Sequence, residues 1–317
     1  MPSYSGVWNL VAVYQAVGAD AWSNDNTRAL FAAGYNTGYS NVIDYTTIKT
    51  TGNAIDFGDF DNRYLTAGCS SSTRGLFAGG FTGAYTATSG YVTIATLGNT
   101  TNFGNLTEGR RALAGLSNST RGCFAGGTNS SGSSNVIDYY TIATTSAATD
   151  FGDLTASSPS STGGCASPTR GLIGGVIYGG ISGNGIDYIT IASTGNATTF
   201  GALSGNQSRA YVAAASNNTR GIFAGGGAGA SNIIDYVTIA STGNATDFGD
   251  LLSTVLYTAG TASSTRAIFG GGETGSFVNS NVIQYVTISS TGNATDFGDL
   301  TVGRYGLASC SNCHGGL

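Results

Sequence analysis

Residues 236–248, YVTIASTGNATDF, contain the pattern that decides the fold. A β-branched run meets a Gly-Asn pair, which favours a tight turn, and the chain then resumes towards a large aromatic residue. This pattern predicts a β-hairpin. The same tyrosine-to-phenylalanine spacing of twelve residues occurs six times, in the pairs Tyr45/Phe57, Tyr91/Phe103, Tyr139/Phe151, Tyr188/Phe200, Tyr236/Phe248 and Tyr285/Phe297. The chain is therefore built from repeats.

A second landmark, Thr-Arg followed by an apolar run and glycines, gives the period of the repeat. The arginines lie 46 to 50 residues apart, at Arg28, Arg74, Arg121, Arg170, Arg220 and Arg266. Residues 220–226, RGIFAGG, predict one strand, and the segment ahead of them, residues 209–215, predicts another. Each repeat thus supplies four strands, A to D in chain order. Four-stranded units of this length predict an all-β fold, a six-bladed β-propeller with four antiparallel strands per blade.

The composition agrees with short strands joined by turns. Gly accounts for 51 of the 317 residues, charged residues for only 9%, and the chain has one lysine and two glutamates. A net charge of -5 without a basic cluster argues against a nucleic-acid partner. No stretch is apolar over the roughly 20 residues that span a bilayer, so we expect no membrane insertion.

The order of these landmarks resembles that of kelch repeats over residues 18–310. Kelch repeats share the arginine, an apolar strand ending in Gly-Gly, a tyrosine and a later large aromatic residue. The glycine pairs are Gly79-Gly80, Gly126-Gly127, Gly174-Gly175, Gly225-Gly226 and Gly271-Gly272. Phe replaces the usual Trp, the Asp expected after the Tyr is absent, and the first repeat has Ala33-Gly34. The resemblance implies a kelch-like propeller.

The repeated residues are expected to have structural roles. Because the Tyr, Phe and Arg recur in every repeat, we predict that they pack blades together and lock strands. The aspartates beside the repeated tyrosines are expected to fix strands or turns, and not to form the paired carboxylates of a glycosidase. They are Asp44, Asp138, Asp187 and Asp235. With a single histidine near the end of the sequence, histidine-based acid-base chemistry is excluded, and we expect no enzyme.

The last repeat unit predicts how the ring closes. Residues 304–310, RYGLASC, match the strand-A text of residues 63–69, RYLTAGC, but no Thr-Arg strand follows them. We predict that this strand completes blade 1, in preference to the weaker copy in residues 17–23, VGADAWS. The propeller domain then covers residues 23–317, and residues 1–22 form a separate segment.

Two cysteines and the histidine raise the question of a cofactor. Cys310, Cys313 and His314 match the C-x-x-C-H pattern for covalent haem and supply three of the ligands that zinc needs. We nevertheless predict no cofactor and no metal. Cys69, Cys165 and Cys310 occupy equivalent strand-A positions and are expected to be small buried residues, with Cys313 free or paired to Cys310.

The N-terminal segment suggests attachment to another protein. Its apolar residues are poorly suited to a solvated tail, and the attachment residues predicted from them are Val7, Trp8, Leu10 and Tyr14. The text SGVWNLVAVYQAVGADAW and the repeated GNATDFGDL resemble virion proteins of bacteriophages that infect cyanobacteria. The resemblance implies a virion location and binding to other virion proteins through residues 1–22. The alternative is that this segment packs on one face of the ring.

The loop lengths predict which face recognises a ligand. The Tyr-to-Phe hairpin never varies, whereas the distance from the Thr-Arg arginine to the tyrosine ranges from 16 to 19 residues. B–C and D–A connections share one face of a propeller, which we call the variable face, and loops on a rigid scaffold commonly carry recognition. Aromatic rings beside amides suit a carbohydrate, and the alternative is ordinary variation of loop length among repeats. The candidate residues are Tyr35, Asn36, Tyr39, Phe81, Tyr85, Asn129, Tyr178, Asn206, Phe277 and Asn279.

We therefore expect a phage virion structural protein, a tail appendage or fibre-type module, whose propeller surface binds host-surface polysaccharide. Two alternatives stay open. One is a capsid or tail decoration protein with a purely structural role, and the other is a carbohydrate-active propeller enzyme.

Overall fold

The computed structural model of the chain describes residues 27–158, 163–178, 181–205, 208–227 and 229–317. These residues form 26 β-strands and no helix, so the described chain has no helix that could cross a membrane. The strands make six small antiparallel sheets arranged as the blades of a propeller. The predicted all-β, six-bladed fold is confirmed.

Each blade has four main strands, which follow one another along the chain in blades 2 to 6. Blade 1 contains β1 (Arg28–Ala32), β2 (Ser40–Thr47) and β3 (Ile55–Arg63). Blade 2 contains β4 (Ala67–Ser70), β5 (Arg74–Ala78), β6 (Thr88–Thr93) and β7 (Thr101–Asn105). Blade 3 contains β8 (Ala114–Ser117), β9 (Arg121–Ala125), the short β10 (Thr128–Asn129), β11 (Gly132–Thr141) and β12 (Thr149–Ser158).

The second half of the chain repeats this arrangement. Blade 4 contains β13 (Gly163–Ala166), β14 (Arg170–Tyr178), β15 (Ile181–Thr190) and β16 (Thr198–Ala202). Blade 5 contains β17 (Ala213–Ser216), β18 (Arg220–Ala224), β19 (Ser231–Thr238) and β20 (Thr246–Leu256). Blade 6 contains β21 (Ala259–Ala262), β22 (Arg266–Gly270), β24 (Val282–Thr287) and β25 (Thr295–Asp299), while the short β23 (Glu273–Thr274) pairs with the end of β20. The last strand, β26 (Ala308–Ser311), lies in blade 1.

Strand A of each blade lies nearest the propeller axis, and we call these strands the inner strands. Strand β26 pairs antiparallel with β1, with Cys310 opposite Leu30, and contacts the inner strands β4 and β21 on either side. Serine hydroxyls join the inner strands: Ser311 donates to the carbonyl of Ala262 at 2.6 Å, and Ser70 donates to the carbonyl of Ser311 at 2.7 Å. The alternative strand in residues 17–23 lies outside the described residues.

The repeated Arg, Tyr and Phe pack neighbouring blades together, as predicted. Arg121 stacks over Tyr139 with 4.3 Å to the ring centroid, and its Nη1 donates to the carbonyl of Ile191 in the next blade at 2.7 Å. Tyr139 in turn meets Phe151 edge to face at 6.0 Å. All six copies make these contacts, with cation to ring distances of 4.3 to 4.8 Å.

The repeated GNATDFGD text also joins blades. The Asn293 side-chain carbonyl accepts a hydrogen bond from the Asp250 backbone N–H of the preceding blade at 3.0 Å, and four other repeats make the equivalent bond. A Cβ on Gly249 would lie 2.5 Å from the Gly292 carbonyl oxygen, because the two backbones touch. This repeated text is therefore accounted for by blade packing.

The hydrophobic core is divided among the spaces between blades. Six clusters of buried residues occur, and each draws on two neighbouring blades. In the cluster between blades 1 and 2, Leu30 and Phe57 pack with Phe77, all less than 3% exposed. Burial of this kind stabilises the ring only when the blades are adjacent, so it couples the blades to one another.

Candidate functional site

The variable face is shaped by a sharp turn ahead of five inner strands, which are those whose preceding residues the structure describes. In the five D–A connections whose turning residue the structure describes, that residue has a φ between 53° and 67°. These residues are Leu65, Ala112, Tyr211, Tyr257 and Gly306. A left-handed conformation costs a non-glycine residue roughly 1 kcal/mol, and strained residues of this kind cluster at functional sites.

Eight aromatic side chains on this face form a continuous cluster, which we call the aromatic belt. Its members are Tyr35, Tyr39, Tyr64, Phe81, Tyr85, Tyr211, Tyr257 and Tyr305. Tyr39 and Tyr64 stack with centroids 5.6 Å apart and 13° between ring planes. The belt continues through Tyr305, whose ring is 6.1 Å from Tyr64 and 5.5 Å from Tyr257.

The belt ends at two closer ring pairs. Tyr257 and Tyr211 lie 4.1 Å apart, and Phe81 meets Tyr85 edge to face at 5.4 Å. Tyr39 is the most exposed residue of the belt, with 37% of its surface accessible to solvent. The other belt residues are half-buried. The belt is therefore a broad aromatic surface and not a closed pocket.

Backbone hydrogen bonds fix the belt in place. The Tyr35 N–H donates to the Tyr305 carbonyl at 2.8 Å, and the Phe81 N–H donates to the Tyr64 carbonyl at 2.9 Å. Each bond joins a B–C loop to the D–A connection ahead of the same blade. Aromatic side chains on paired backbones lose little conformational entropy when they bind a ligand.

Half of the belt was predicted from loop lengths. The structure brings together the candidates Tyr35, Tyr39, Phe81 and Tyr85. The other four tyrosines were missed because they lie in D–A connections whose text was assigned to strand A. A detectable pattern existed, since Arg-Tyr begins both residues 63–69 and residues 304–310.

The other predicted residues have separate positions. Asn279 Nδ2 lies 3.4 Å from Asn36 Oδ1 and joins the loops of blades 6 and 1, whereas Asn129 donates to Glu108 at 2.7 Å. Phe277 is 84% exposed at the tip of its loop. Tyr178 ends β14, where it pairs with Ile181. Outside the described residues lie the candidate Asn206 and the attachment residues Val7, Trp8, Leu10 and Tyr14.

Two tyrosines of the belt, Tyr257 and Tyr305, stay protonated at neutral pH. Burial raises the pKa of Tyr257, and the adjacent Tyr211 hydroxyl raises it further. Burial also raises the pKa of Tyr305, with Glu273 as a second cause. These phenols can therefore donate hydrogen bonds beside apolar ring faces.

Arg111 lies at the border of the belt, ahead of blade 3, and places a charged guanidinium beside the aromatic rings. Its guanidinium lies 5.0 Å from the Phe81 centroid and 5.3 Å from that of Tyr85, and Nη1 donates to the Tyr64 hydroxyl at 3.3 Å. A shallow depression opens beside it, lined by Phe81, Gly83, Ala84, Tyr85, Gly109, Arg111 and Ser130.

The repeated aspartates fix the junctions between blades. Asp138 pairs with Arg110 at 2.5 Å, with both side chains fully buried. Asp44 and Asp235 make the equivalent pairs with Arg304 and Arg209, each at 2.8 Å. The prediction that these aspartates are structural is confirmed, although the feature they hold is the junction between blades.

Asp187 differs from the other three. It accepts from the Thr155 hydroxyl at 2.8 Å and from the Thr155 backbone N–H at 2.9 Å. None of the described residues gives it an arginine partner, and burial raises its pKa. All four repeated carboxylates are buried, which leaves them unavailable to a substrate.

The cysteines lie at the axis, away from the belt. Cys69, Cys165 and Cys310 are buried in inner strands, as predicted, and burial raises the pKa of Cys165 and Cys310 to about 12. Cys313 is also a free thiol. Within the described ranges, no cluster of three or more His, Cys, Asp or Glu side chains is arranged to hold a metal ion.

The residues after β26 fold across the opposite end of the axis from the belt. His314 Nε2 lies 3.1 Å from the Ser70 carbonyl and 3.2 Å from the Ser117 hydroxyl, and the Gly315 N–H donates to the Ser216 carbonyl at 2.9 Å. Burial lowers the pKa of His314 from 6.5 to about 4. This imidazole is therefore neutral in the folded protein at pH 7.

Acidification is expected to destabilise the ring through His314. Between pH 6.5 and about 4 the unfolded chain binds a proton that the folded chain does not, so stability is complete above pH 6.5 and falls as the pH is lowered through this window. Because His314 is partly exposed and solvent screens its charge, the expected loss in the free energy of unfolding is about 2 kcal/mol. Denaturant unfolding at pH 7 and pH 4 measures it, with His314→Asn as the control. Equal pH dependence in the two proteins would contradict the assignment.

No protein-family model matches this chain, and no curated protein sequence is significantly similar to it. Its geometry provides a rigid aromatic surface, protonated phenols and the Arg111 guanidinium on one face of the ring.

Proposed function

We propose that this chain is a virion appendage protein whose propeller binds a host-surface glycan through the aromatic belt. The observation that carries the proposal is the aromatic surface in which Tyr39 stacks on Tyr64 and Tyr64 meets Tyr305 edge to face, bordered by polar loops. Sugar rings have an apolar face that packs on aromatic rings and hydroxyl groups that need hydrogen-bond partners. Tyrosine supplies both properties at low entropic cost.

The asymmetry of the ring supports a binding role for this face. The inter-blade contacts of Arg, Tyr and Phe recur in all six blades, as expected of packing residues. The belt does not recur: the position held by Tyr64 and Tyr305 holds Ala210 before blade 5 and Leu256 before blade 6. Packing around the ring therefore does not account for Tyr64 and Tyr305.

The virion assignment rests on the resemblance of residues 5–22 and of the GNATDFGDL text to cyanophage virion proteins. In this proposal residues 1–22 bind other virion proteins and the belt remains available to the host surface. A purely structural decoration protein is the alternative that a lack of ligand would favour. We propose no hydrolytic activity, because the repeated aspartates are buried in contacts between blades.

Replacing Tyr39 and Tyr64 together by Ala is expected to weaken glycan binding by about 30-fold, since each aromatic contact contributes roughly 1 kcal/mol. The measurement is binding of the labelled full chain to a broad glycan array and to cyanobacterial envelope polysaccharides, with Kd values for the strongest ligands. Leu97→Ala is the control, because Leu97 is exposed in a C–D hairpin on the opposite face.

Two outcomes would count against the proposal. If the unaltered chain binds no glycan, the structural decoration role is favoured. If it binds but the tyrosine variant binds equally well, the belt is not the site. Release of shortened sugars from the ligands would support the enzyme alternative.

A further inference from the structure

Arg111 has a different environment from the other arginines of the chain. The six repeated arginines donate to backbone carbonyls of the next blade. The D–A arginines are buried, and they are Arg63, Arg110, Arg209 and Arg304. Arg111 is half-buried on the variable face, and no carboxylate among the described residues lies within 4.0 Å of it.

Arg111 occupies a position that holds a tyrosine before blades 1 and 2. Its backbone N–H donates to the Thr128 carbonyl at 3.0 Å, as Tyr64 donates to Phe81 and Tyr305 donates to Tyr35. At this position the belt therefore has a guanidinium in place of a phenol. A guanidinium has five N–H donors, and the Tyr64 hydroxyl accepts one of them at 3.3 Å, so donors remain for a ligand.

The local acidic residue is engaged elsewhere. The Glu108 carboxylate accepts from the Ser134 hydroxyl at 2.6 Å and from Asn129 at 2.7 Å, and it lies 3.4 Å from Arg110 Nε. Its charge is thus directed towards the buried Arg110. The Arg111 guanidinium is held beside the rings of Phe81 and Tyr85, at the edge of the depression.

The depression has the features expected of a small polar ligand site. Gly83, Ala84 and Gly109 have small side chains or none, which leaves room beside the aromatic rings, and Ser130 adds a hydroxyl. The planar fork of an arginine matches a carboxylate through two parallel hydrogen bonds. A ring bearing a carboxylate could therefore contact Tyr85 and the guanidinium together.

We propose that the Arg111 depression binds the carboxylate of a uronic acid residue in an acidic polysaccharide. This inference rests on the proposed glycan-binding function and narrows it to a substrate class. Arg111 selects the charged sugar, and the stacked tyrosines of the belt bind adjacent sugars whether or not they are charged.

The test compares acidic polysaccharides with their neutral counterparts. Polygalacturonate, alginate and hyaluronan are each paired with the same polymer after chemical reduction of its carboxyl groups, and Kd is measured for the full chain, Arg111→Gln and Arg111→Lys. We expect at least one acidic polymer to bind about tenfold or more tightly than its reduced form, with the difference decreasing at high salt. Arg111→Gln should abolish this preference, and Arg111→Lys should retain only part of it because a lysine cannot form the bidentate contact.

The outcomes separate this inference from the proposed function. If the reduced polymers bind as tightly as the acidic ones, or if Arg111→Gln keeps the preference, the uronate site is wrong while glycan binding stands. If no acidic or neutral polysaccharide binds the unaltered chain, both proposals fail. An unchanged unfolding midpoint for Arg111→Gln excludes loss of folding as the cause of lost binding.

Discussion

Replacing Asp138 by Asn is expected to lower the free energy of unfolding by about 3 to 5 kcal/mol. Arg110 donates to Asp138 at 2.5 Å and to the carbonyls of Gly126 and Val136 at 2.7 Å, and both charged side chains are fully buried. Asparagine has nearly the same shape but removes the carboxylate that contacts Arg110 Nη2, so the buried guanidinium keeps the more distant Glu108 carboxylate, 3.4 Å from its Nε, as its acidic neighbour. Denaturant unfolding of the purified full chain measures the loss.

Asp187→Asn is the matched control for this prediction. Asp187 is equally buried, but its described partners are the hydroxyl and N–H of Thr155, with no arginine among them. The sequence places Pro159 where four other junctions carry the arginine. Because burial raises the pKa of Asp187, removing its charge is expected to change stability by less than about 1 kcal/mol or to increase it. Equal losses in the two variants would show that the ion pair is not the cause.

Replacing Gly249 by Ala is expected to cost about 3 kcal/mol. The added Cβ would lie 2.5 Å from the Gly292 carbonyl oxygen and 2.6 Å from its carbonyl carbon, and φ at Gly249 is +147°. The obstacle is backbone of the neighbouring blade, which cannot turn aside as a flexible side chain can. The whole hairpin must therefore move, which also loosens the Asn293 contact with Asp250.

Gly243→Ala tests whether the contact or the backbone conformation is responsible. Gly243 has a similar φ of +159°, but a Cβ there would have no atom within 4 Å. We expect a loss below about 1 kcal/mol for this variant by the same unfolding measurement. Comparable losses at both positions would mean that backbone conformation alone requires glycine.

The blades could be predicted because their determinants are local. The Gly-Asn pair in residues 236–248 lies between two runs that form β19 and β20, and the same pattern is legible in each repeat without knowledge of the rest of the chain. The repeated arginine contacts were predictable in kind, because a residue present in every blade is expected to join blades. The carbonyls that accept these hydrogen bonds could not be predicted, since the pairing of an arginine with a carbonyl of the next blade depends on how the blades stack.

The side-chain contacts at the junctions between blades could not be predicted from the sequence. The arginine and aspartate positions lie far apart along the chain, and their residues change together. Before blade 6, Val255 replaces the arginine and Gln284 replaces the aspartate, and Gln284 accepts from the Leu252 N–H at 2.7 Å. Before blade 2, Arg63 remains and pairs with Asp61 at 2.5 Å, while Gly90 stands in the aspartate position, where the Phe60 ring packs closely. Each exchange avoids an unpaired buried charge, which is clear only once the partners are known.

Half of the belt was missed for a similar reason. Loop length identifies B–C residues such as Tyr35 and Phe81, because insertions are visible along the sequence. Tyr305 meets Tyr35 across 270 positions of the chain, through a contact that depends on β26 lying beside β1. Arg111 was likewise not recognised, since the sequence does not show that its neighbours in space are aromatic.

The most direct test of the account is hydrogen exchange of the full chain with and without the polysaccharide that binds most tightly in the glycan panel. We expect slower exchange in residues 35–40, 64–66 and 81–86, which contain five of the eight belt residues, and unchanged exchange in the C–D hairpins at residues 94–100 and 239–245. Protection confined to those hairpins would place the ligand on the opposite face and contradict the proposed site.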